Sequence, residues 1–357
     1  MPSDILDRCH AVLVLRDHDS VWGAEAQAEV QVAVEAMHPG LRQAGYRVDP
    51  IQIRSPLDIP LVIESFDPDE CVIFNWCEGV EPGANDVARV TALLDRLGYV
   101  YTGADTRALL TTQDKNFAKR VLIAHGVPTP AWQLVLGDST QYWNRYPAIV
   151  KAATEHGSEG LTTQSVVYNE SSLRLHLAEL GALYAKPFIV SEFIDGREIT
   201  VSLWGNGAIE ILPLVEVDFA HSHLPRVRTF EAKWEATSLA YQLSQLICPP
   251  HLSRALKSRI EQVALDTYRA FSLRDYGRID IRLRDGVPYV IDVNPNPDIT
   301  AESSFVTAAQ KAGYNYSEMV DRIVRLAARR ALDSRMQSRR QRSRGTPGQL
   351  PGKRGRI

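Results

Sequence analysis

The stretch richest in reactive residue types runs from Gly277 to Pro295. In it Arg278, Asp280 and Arg282 alternate with Ile279, Ile281 and Leu283, and Asp292 and Asn294 alternate with Ile291 and Val293. Side chains alternate faces along a strand, so two strands here each offer one apolar face and one face of acid, amide and guanidinium groups. Two carboxylates and an amide carbonyl in a small space repel one another unless a cation lies between them. An all-oxygen set suits Mg²⁺, which keeps bound water and shares substrate phosphates. Asp285-Gly286 marks the turn between the strands. A two-residue turn pairs Asp280 with Ile291 and sends Asp292 to the other face, whereas a three-residue loop sets Asp280 opposite Asp292. The metal reading therefore requires an odd-length loop or a bulge. On residue types alone, an edge hairpin with a solvated acidic face is the alternative.

Other reactive residues lie upstream. Lys151 sits on an expected strand at 148–152, followed by the small-residue loop Ala153-Thr154-Glu155-His156-Gly157-Ser158-Glu159-Gly160-Leu161. Glycine lets backbone amides approach a phosphate and a nearby lysine adds point charge. The loop is not a Walker loop, because no Gly-Lys-Ser/Thr follows and a strand, not a helix, comes next. On this segment alone, a plain turn between strands is the favoured explanation. Lys115, Lys119 and Arg120 fall on a helix opened by Thr111–Lys115. His221 and His223 lie in a polar loop with no third metal ligand in view.

The elements that must position these groups begin with a βα alternation: a strand at 11–15, a helix at 24–43, a strand at 48–53, a short helix at 57–66, a strand at 71–74, a helix at 86–97 and a strand at 99–101. This implies a parallel sheet with covered faces, and ligands of such sheets sit beyond the strands' carboxyl ends. Further strands are expected at 163–167, 188–193 and 209–217, an amphipathic helix at 251–271, and closing helices at 300–312 and 316–332. The boundaries read as an N-terminal α/β domain (1–111), a lobe with the glycine loop (112–195), a lobe with the acidic hairpin (196–333) and a basic disordered tail (334–357).

The net charge of −3 hides an asymmetry: residues 335–357 hold eight Arg/Lys and no Asp/Glu, leaving about −11 on the rest. The tail is too poor in apolar residues to fold alone, and a solubilising role is preferred to nucleic-acid binding. Cys9, Cys71, Cys77 and Cys248 lack zinc spacing and read as reduced residues of a cytoplasmic protein. No apolar stretch is long enough to span a membrane, and no signal peptide is evident.

Taken in order, the motifs resemble the D-alanine–D-alanine ligase branch of the ATP-grasp superfamily. They are Tyr101-Thr102-Gly103, Gln113-Asp114-Lys115, Lys151 to Leu161, Phe193-Ile194-Asp195-Gly196-Arg197-Glu198, Phe230-Glu231-Ala232-Lys233, Arg278-Ile279-Asp280 and Asp292-Val293-Asn294-Pro295-Asn296-Pro297. The resemblance runs from about residue 10 to 330. It implies an α/β protein with an ATP-grasp fold behind a Rossmann-like parallel domain. It also implies ATP with two Mg²⁺ ions, for which Mn²⁺ can substitute, and a homodimer through the N-terminal domain. By the same resemblance Lys115, Lys151 and Lys233 hold phosphates, and Ser158 and Gly160 close over them. Glu192, Phe193 and Ile194 form the adenine link, and Glu198 takes the ribose hydroxyls. Asp280, Asp292 and Asn294 hold the metal ions, and Arg278 stabilises the reacting oxyanion. The implied chemistry is attack of a carboxylate on the γ-phosphate, then attack of an amine on the acylphosphate.

The departures from the family pattern fall on the amino-acid side. Glu78 stands where a His is usual, Gly157 where a loop serine is usual, Trp234 where Tyr is frequent, and Asp298 where Gly is usual. The loop Asp17–Gly23 has no clear counterpart. Ser303 matches a serine that binds the acceptor's carboxylate, and Asp292 sits where Glu is common. The expected function is therefore a carboxylate–amine ligase for small amino-acid-like substrates. A more acidic pocket would favour a cationic or hydroxyl-bearing one. A true D-alanine–D-alanine ligase, a nucleotide-binding module without turnover and an intramolecular ring-closing enzyme are the alternatives.

Overall fold

The strand β1 (Ala11–Asp17) is apolar over its first five positions, and all five are buried. That pattern belongs to a central strand covered on both sides. In the computed structural model, which describes residues 10–17, 24–77, 86–136, 143–154, 161–184, 187–219, 225–229, 238 and 244–344, β1 is central in a parallel sheet. Its order is β2-β1-β3-β4, with β2 (Arg47–Ile53), β3 (Cys71–Trp76) and β4 (Val100–Tyr101). Parity splits its faces. Leu13 and Leu15 pack under helices α2 (Ile59–Ile63) and α3 (Asp86–Leu97). Val12 and Val14 pack under α1 (Ala24–Gln43) and the last helix, α9 (Tyr316–Arg344). The C-terminal helix thus returns to close the N-terminal sheet.

A pair of helices follows β4: α4 (Thr106–Gln113) and α5 (Lys115–Ala124). They break at Asp114, whose extended backbone and side chain, accepting the Phe117 N–H at 2.9 Å, make it the N-cap of the second. The sequence reading starts one helix at Thr111 and misses the first. The second sheet is antiparallel, in the order β5-β8-β6-β7, from β5 (Trp132–Val135), β6 (Ala148–Ala152), β7 (Val166–Val167) and β8 (Phe188–Glu192). Helix α6 (Glu170–Leu183) covers one face through Leu173 and Leu177.

The third sheet holds β9 (Glu198–Trp204), β10 (Glu210–Ile211), β11 (Val215–Phe219), β12 (Ser244–Ile247), β13 (Tyr276–Arg284) and β14 (Val287–Asn294). Ile199, Val201, Ile279 and Ile281 form its apolar face under α7 (Arg254–Ala270), which contributes Ile260, Ala264 and Tyr268. The opposite face carries the polar partners of these strands. The link from β8 to β9 passes so close to the hairpin that a Cβ on Gly196 would lie 1.7 Å from the Leu283 carbonyl oxygen, which no side chain can accommodate. Asp275, fully buried, ties the lobes together: it accepts from the Gly103 N–H at 2.9 Å and from Arg330 on α9 at 3.0 Å. After β14 comes α8 (Ser304–Lys311).

The sequence reading misses α6, β5 and β12. It also joins β10 and β11, which part at Leu212-Pro213-Leu214, where proline interrupts a ladder. The last helix runs to Arg344, not Leu332, so residues 334–344 of the expected disordered tail are helical; 345–357 lie outside the described residues. Among the described residues no helix is long and apolar enough to cross a membrane.

Candidate active site

The hairpin resolves the parity question with a bulge. Arg284 pairs with Val287 across a two-residue turn in which Asp285 (φ 53°) and Gly286 (φ 72°) are both left-handed. Such a turn alone would set Asp280 against Ile291. Instead Ile281 pairs with Val290 and Asp280 with Asp292, so Ile291 is the extra residue of a β-bulge. Asp280 and Asp292 consequently share a face with the cross-strand pair Arg278 and Asn294. The bulge is pinned from outside: the Val290 N–H donates to the Pro128 carbonyl at 2.8 Å, and the Val290 carbonyl accepts from Thr129 Oγ1 at 2.9 Å.

Strand β9 extends the same face, since Glu198 pairs with Arg282, Thr200 with Asp280 and Ser202 with Arg278. Arg278 forks onto Asp280, Nε to Oδ1 at 2.8 Å and Nη2 to Oδ2 at 3.0 Å, and Asn294 Nδ2 donates to Oδ2 at 3.0 Å. A carboxylate has about four acceptor sites, so one remains on Asp280, and Asn294 keeps its amide oxygen. Arg282 gives both Nε (2.8 Å) and Nη2 (2.6 Å) to Glu198 Oε2, leaving Oε1 as an acceptor. Arg282 also donates to the carbonyls of Gly196 and Arg226. The Thr200 Oγ1 and Ser202 Oγ hydroxyls are buried without a partner among the described residues.

This face meets the second sheet across a cleft. One end is apolar: Ile149, Phe193 and Val227 pack together with Leu161 beside them. The other end carries Lys151, Arg228, Asp280 and Asp292, with Glu198 and Arg282 also on the lining. The arrangement suits a ligand with a flat apolar part and a polyanionic part. Glu192 and Phe193 spend their amides on Ala131 and Pro147 at 2.9 Å, and Gly196 donates to the Ile194 carbonyl at 3.0 Å. Ile194 lines the cleft, and its N–H makes no hydrogen bond among the described residues.

Burial pushes the Lys151 ammonium below its usual range, and Asp292 leads the charges that pull it back up. Burial also pulls on Arg278, but Asp280, Asp292 and Asp298 override it and hold that guanidinium above its usual range. Lys119 is a strongly perturbed group outside the expected set. Burial and then Lys151 press it down to about 7, against the pull of Asp292. Its Nζ donates to Thr129 Oγ1 at 3.0 Å and to the Pro130 carbonyl at 3.1 Å, so it anchors the segment that pins the bulge. In the unfolded chain Lys119 holds its proton up to about pH 10.4. Between pH 7 and 10 the unfolded state therefore binds more protons, and stability rises with pH by up to about 1.4 kcal/mol per unit from this group. Denaturant titrations at pH 7, 8, 9 and 10 should show this rise in the wild type and a flatter profile in Lys119→Met; parallel profiles would contradict it.

The structure gathers Lys151, Glu192, Phe193, Ile194, Glu198, Asp280 and Asp292 on one cleft, with Arg278 and Asn294 bonded to Asp280. Lys115 opens α5, its N–H donating to the Ala153 carbonyl at 2.9 Å, which sets it at the end of β6. Ser303 is the N-cap of α8, accepting from the Val306 N–H at 3.3 Å, and Asp298 accepts from the Thr300 N–H (2.8 Å) and hydroxyl (3.0 Å). Glu78, Ser158, Gly160, Lys233 and Trp234, with His221 and His223, lie outside the described residues. Thr200, Ser202, Lys119 and Arg228 were not expected at the site. The alternation of Thr200 and Ser202 with Ile199 and Val201 is a signal that could have found the first two. No group of three His, Cys, Asp or Glu side chains that could hold a metal occurs among the described residues. The available donor set is two carboxylates and an amide, which fits an ion that completes its shell with water and phosphate oxygens.

Comparison with known proteins places this cleft in context. Residues 128–325 match the family described as D-ala D-ala ligase C-terminus. The chain is 34% identical over 72% of its length to the uncharacterized protein y4sG of Sinorhizobium fredii, covering 75% of that protein. It is 30% identical over 85% of its length to the D-alanine–D-alanine ligase of Moorella thermoacetica, covering 96% of it. The crystal structure of D-alanine–D-alanine ligase from Bacillus anthracis complexed with ATP superposes with a TM-score of 0.71 at 22% identity, covering 91% of this chain and 99% of that one. That likeness concerns the fold.

Proposed function

We propose that this chain, which belongs to the D-ala D-ala ligase C-terminus family and is an ADP-forming ATP-grasp ligase joining a carboxylate to an amine, works on amino-acid-like substrates other than two D-alanines. The observation that carries the reading is the cleft: an apolar end for a base, a buried carboxylate oxygen beyond it, and Lys151 with the facing aspartates at the charged end. In this reading the Ile194 N–H binds the base and Glu198 Oε1 accepts from the sugar hydroxyls. Lys115 and Lys151 hold the phosphates. Asp280 by its remaining lone pair, Asp292 and the Asn294 amide oxygen would hold Mg²⁺. Mg²⁺ held there would supply positive charge against the phosphates. Arg278, held by Asp280, offers its remaining N–H groups to the tetrahedral oxyanion that forms when the amine attacks the acylphosphate carbonyl, before that intermediate collapses with release of phosphate. By the family resemblance Ser158, Gly160 and Lys233 complete the phosphate grip and help keep water from the acylphosphate.

Asp298, rigid through its two bonds to Thr300, supports an acceptor other than D-alanine, as does the replacement at Glu78. A cytoplasmic homodimer joined through the N-terminal unit belongs to the same reading; exposed Leu57 and Leu61 supply apolar surface for it. A true D-alanine–D-alanine ligase is the second reading, favoured by relatives of that name that match across 85% of the chain. Incubation with ATP, Mg²⁺ and paired members of an amino-acid panel should release ADP and a condensed product detectable by mass. Turnover with D-alanine alone would establish the second reading. ADP release from one substrate without an amine would point to ring closure, and no ADP with any pair would leave a nucleotide-binding module.

A further inference from the structure

We propose that Arg228 is an anion-binding side chain of this cleft, taking an oxyanion from the nucleotide's phosphates or from a second carboxylate on the substrate. The inference deepens the ligase reading and rests on it for the identity of the ligand.

Arg228 follows Val227 of the apolar wall and lines the cleft. Two successive tight turns hold its backbone: the Val227 N–H donates to the Pro225 carbonyl at 2.8 Å and the Thr229 N–H to the Val227 carbonyl at 3.1 Å. The charges around it are Arg278 first, then Glu198, Asp280 and Asp298. Each neighbouring carboxylate is already engaged: Asp280 by Arg278, Glu198 by Arg282, and Asp298 by Thr300. Arg228 itself makes no hydrogen bond or ion pair among the described residues, and its Nε is sealed from solvent with no acceptor. The other two guanidiniums of the charged end are both paired.

A desolvated guanidinium without a counter-ion is costly, and guanidinium's planar fork matches carboxylate and phosphate oxygens. Arg278 and Arg228 also repel one another, and an anion placed between them relieves that. Buried Thr200 Oγ1 and Ser202 Oγ, likewise without partners on this face, are further groups that a ligand or its water would satisfy. The acidic pocket expected from Glu78 and Asp298 thus carries a guanidinium that offsets Asp298.

Calorimetric titration of the full chain and of Arg228→Ala and Arg228→Lys tests the assignment, with the magnesium complex of a non-hydrolysable ATP analogue and adenosine as probes. D- and L-aspartate and D- and L-glutamate are then added to the nucleotide-loaded protein. Loss of a charge-assisted hydrogen bond weakens the relevant ligand by about 10–100-fold. If the anion is the nucleotide's, the alanine variant loses analogue affinity by that factor while adenosine binds unchanged. If it is the substrate's, only a dicarboxylate probe is affected. In both cases the lysine variant recovers part of the loss. Melting of the ligand-free alanine variant should be unchanged or raised, because an unpaired, half-buried guanidinium has been removed. A lowered melting temperature with unchanged binding would make Arg228 structural, and unchanged binding of every probe would overturn the proposal while leaving the nucleotide reading standing. A wild-type chain that binds no analogue would overturn both.

Discussion

Asp292→Asn is expected to lower ADP formation by roughly 10²–10³-fold, the scale of one well-placed electrostatic group at a reacting phosphate. The amide has the volume of the carboxylate and stays in its half-buried place opposite Asp280, so the hairpin keeps its register. What changes is charge. The proposed ion site loses one of its two carboxylates. Lys151 also loses the largest of the charges that oppose its desolvation, and so holds its proton less well. Both losses fall on the phosphates. Steady-state ADP release checks the rate, and thermal melting within a few degrees of the wild type checks that the fold is kept. A melting drop in proportion to the activity loss would assign Asp292 a structural role instead.

Arg282→Met is expected to cost about 3–5 kcal/mol of stability, the range for breaking a buried ion pair from one side. The pair with Glu198 is nearly solvent-free, with side-chain exposures of 5% and 8%. Arg282 also satisfies two backbone carbonyls, at Gly196 and Arg226, and lies 5.6 Å from the Phe193 ring and 5.3 Å from the Phe219 ring. Removing it strands a buried carboxylate among these groups. The double variant Glu198→Gln with Arg282→Met removes the stranded charge and should recover a part of the loss. Denaturant unfolding of the four proteins gives the coupling directly. Additive effects of the two substitutions would show that the pair does not act as a unit.

Much of the site was readable because strands print their faces on the sequence. Arg278, Asp280 and Arg282 announced a polar face before any pairing was known, and β9 repeats the pattern with Glu198, Thr200 and Ser202. The acids called for an odd-length loop or a bulge, but which of the two occurs, and that Ile291 is the extra residue, was not readable. Asp285-Gly286 correctly signals a two-residue turn, and that turn argues against the pairing of Asp280 with Asp292. The extra residue is accommodated by contacts from Pro128 and Thr129, more than 160 positions away in the chain. Lys119 and Arg228 were invisible for the same reason. A lysine on a helix and an arginine in a loop are ordinary surface residues until tertiary packing encloses them. Helix α6 and the short strands β5 and β12 lacked a clear period, and tertiary packing decides such segments.

Ile291 gives the hairpin something like a phase. Most strand pairs that serve as scaffolds can be lengthened or trimmed in units of two without disturbing which side chains face a ligand. Here one residue, neither charged nor a ligand, carries the half-step that brings two acids to the same side. Transplanting this acidic motif into another β-ribbon would therefore require copying a miscount along with the acids, and a register-perfect ribbon bearing every polar residue would display them on opposite surfaces.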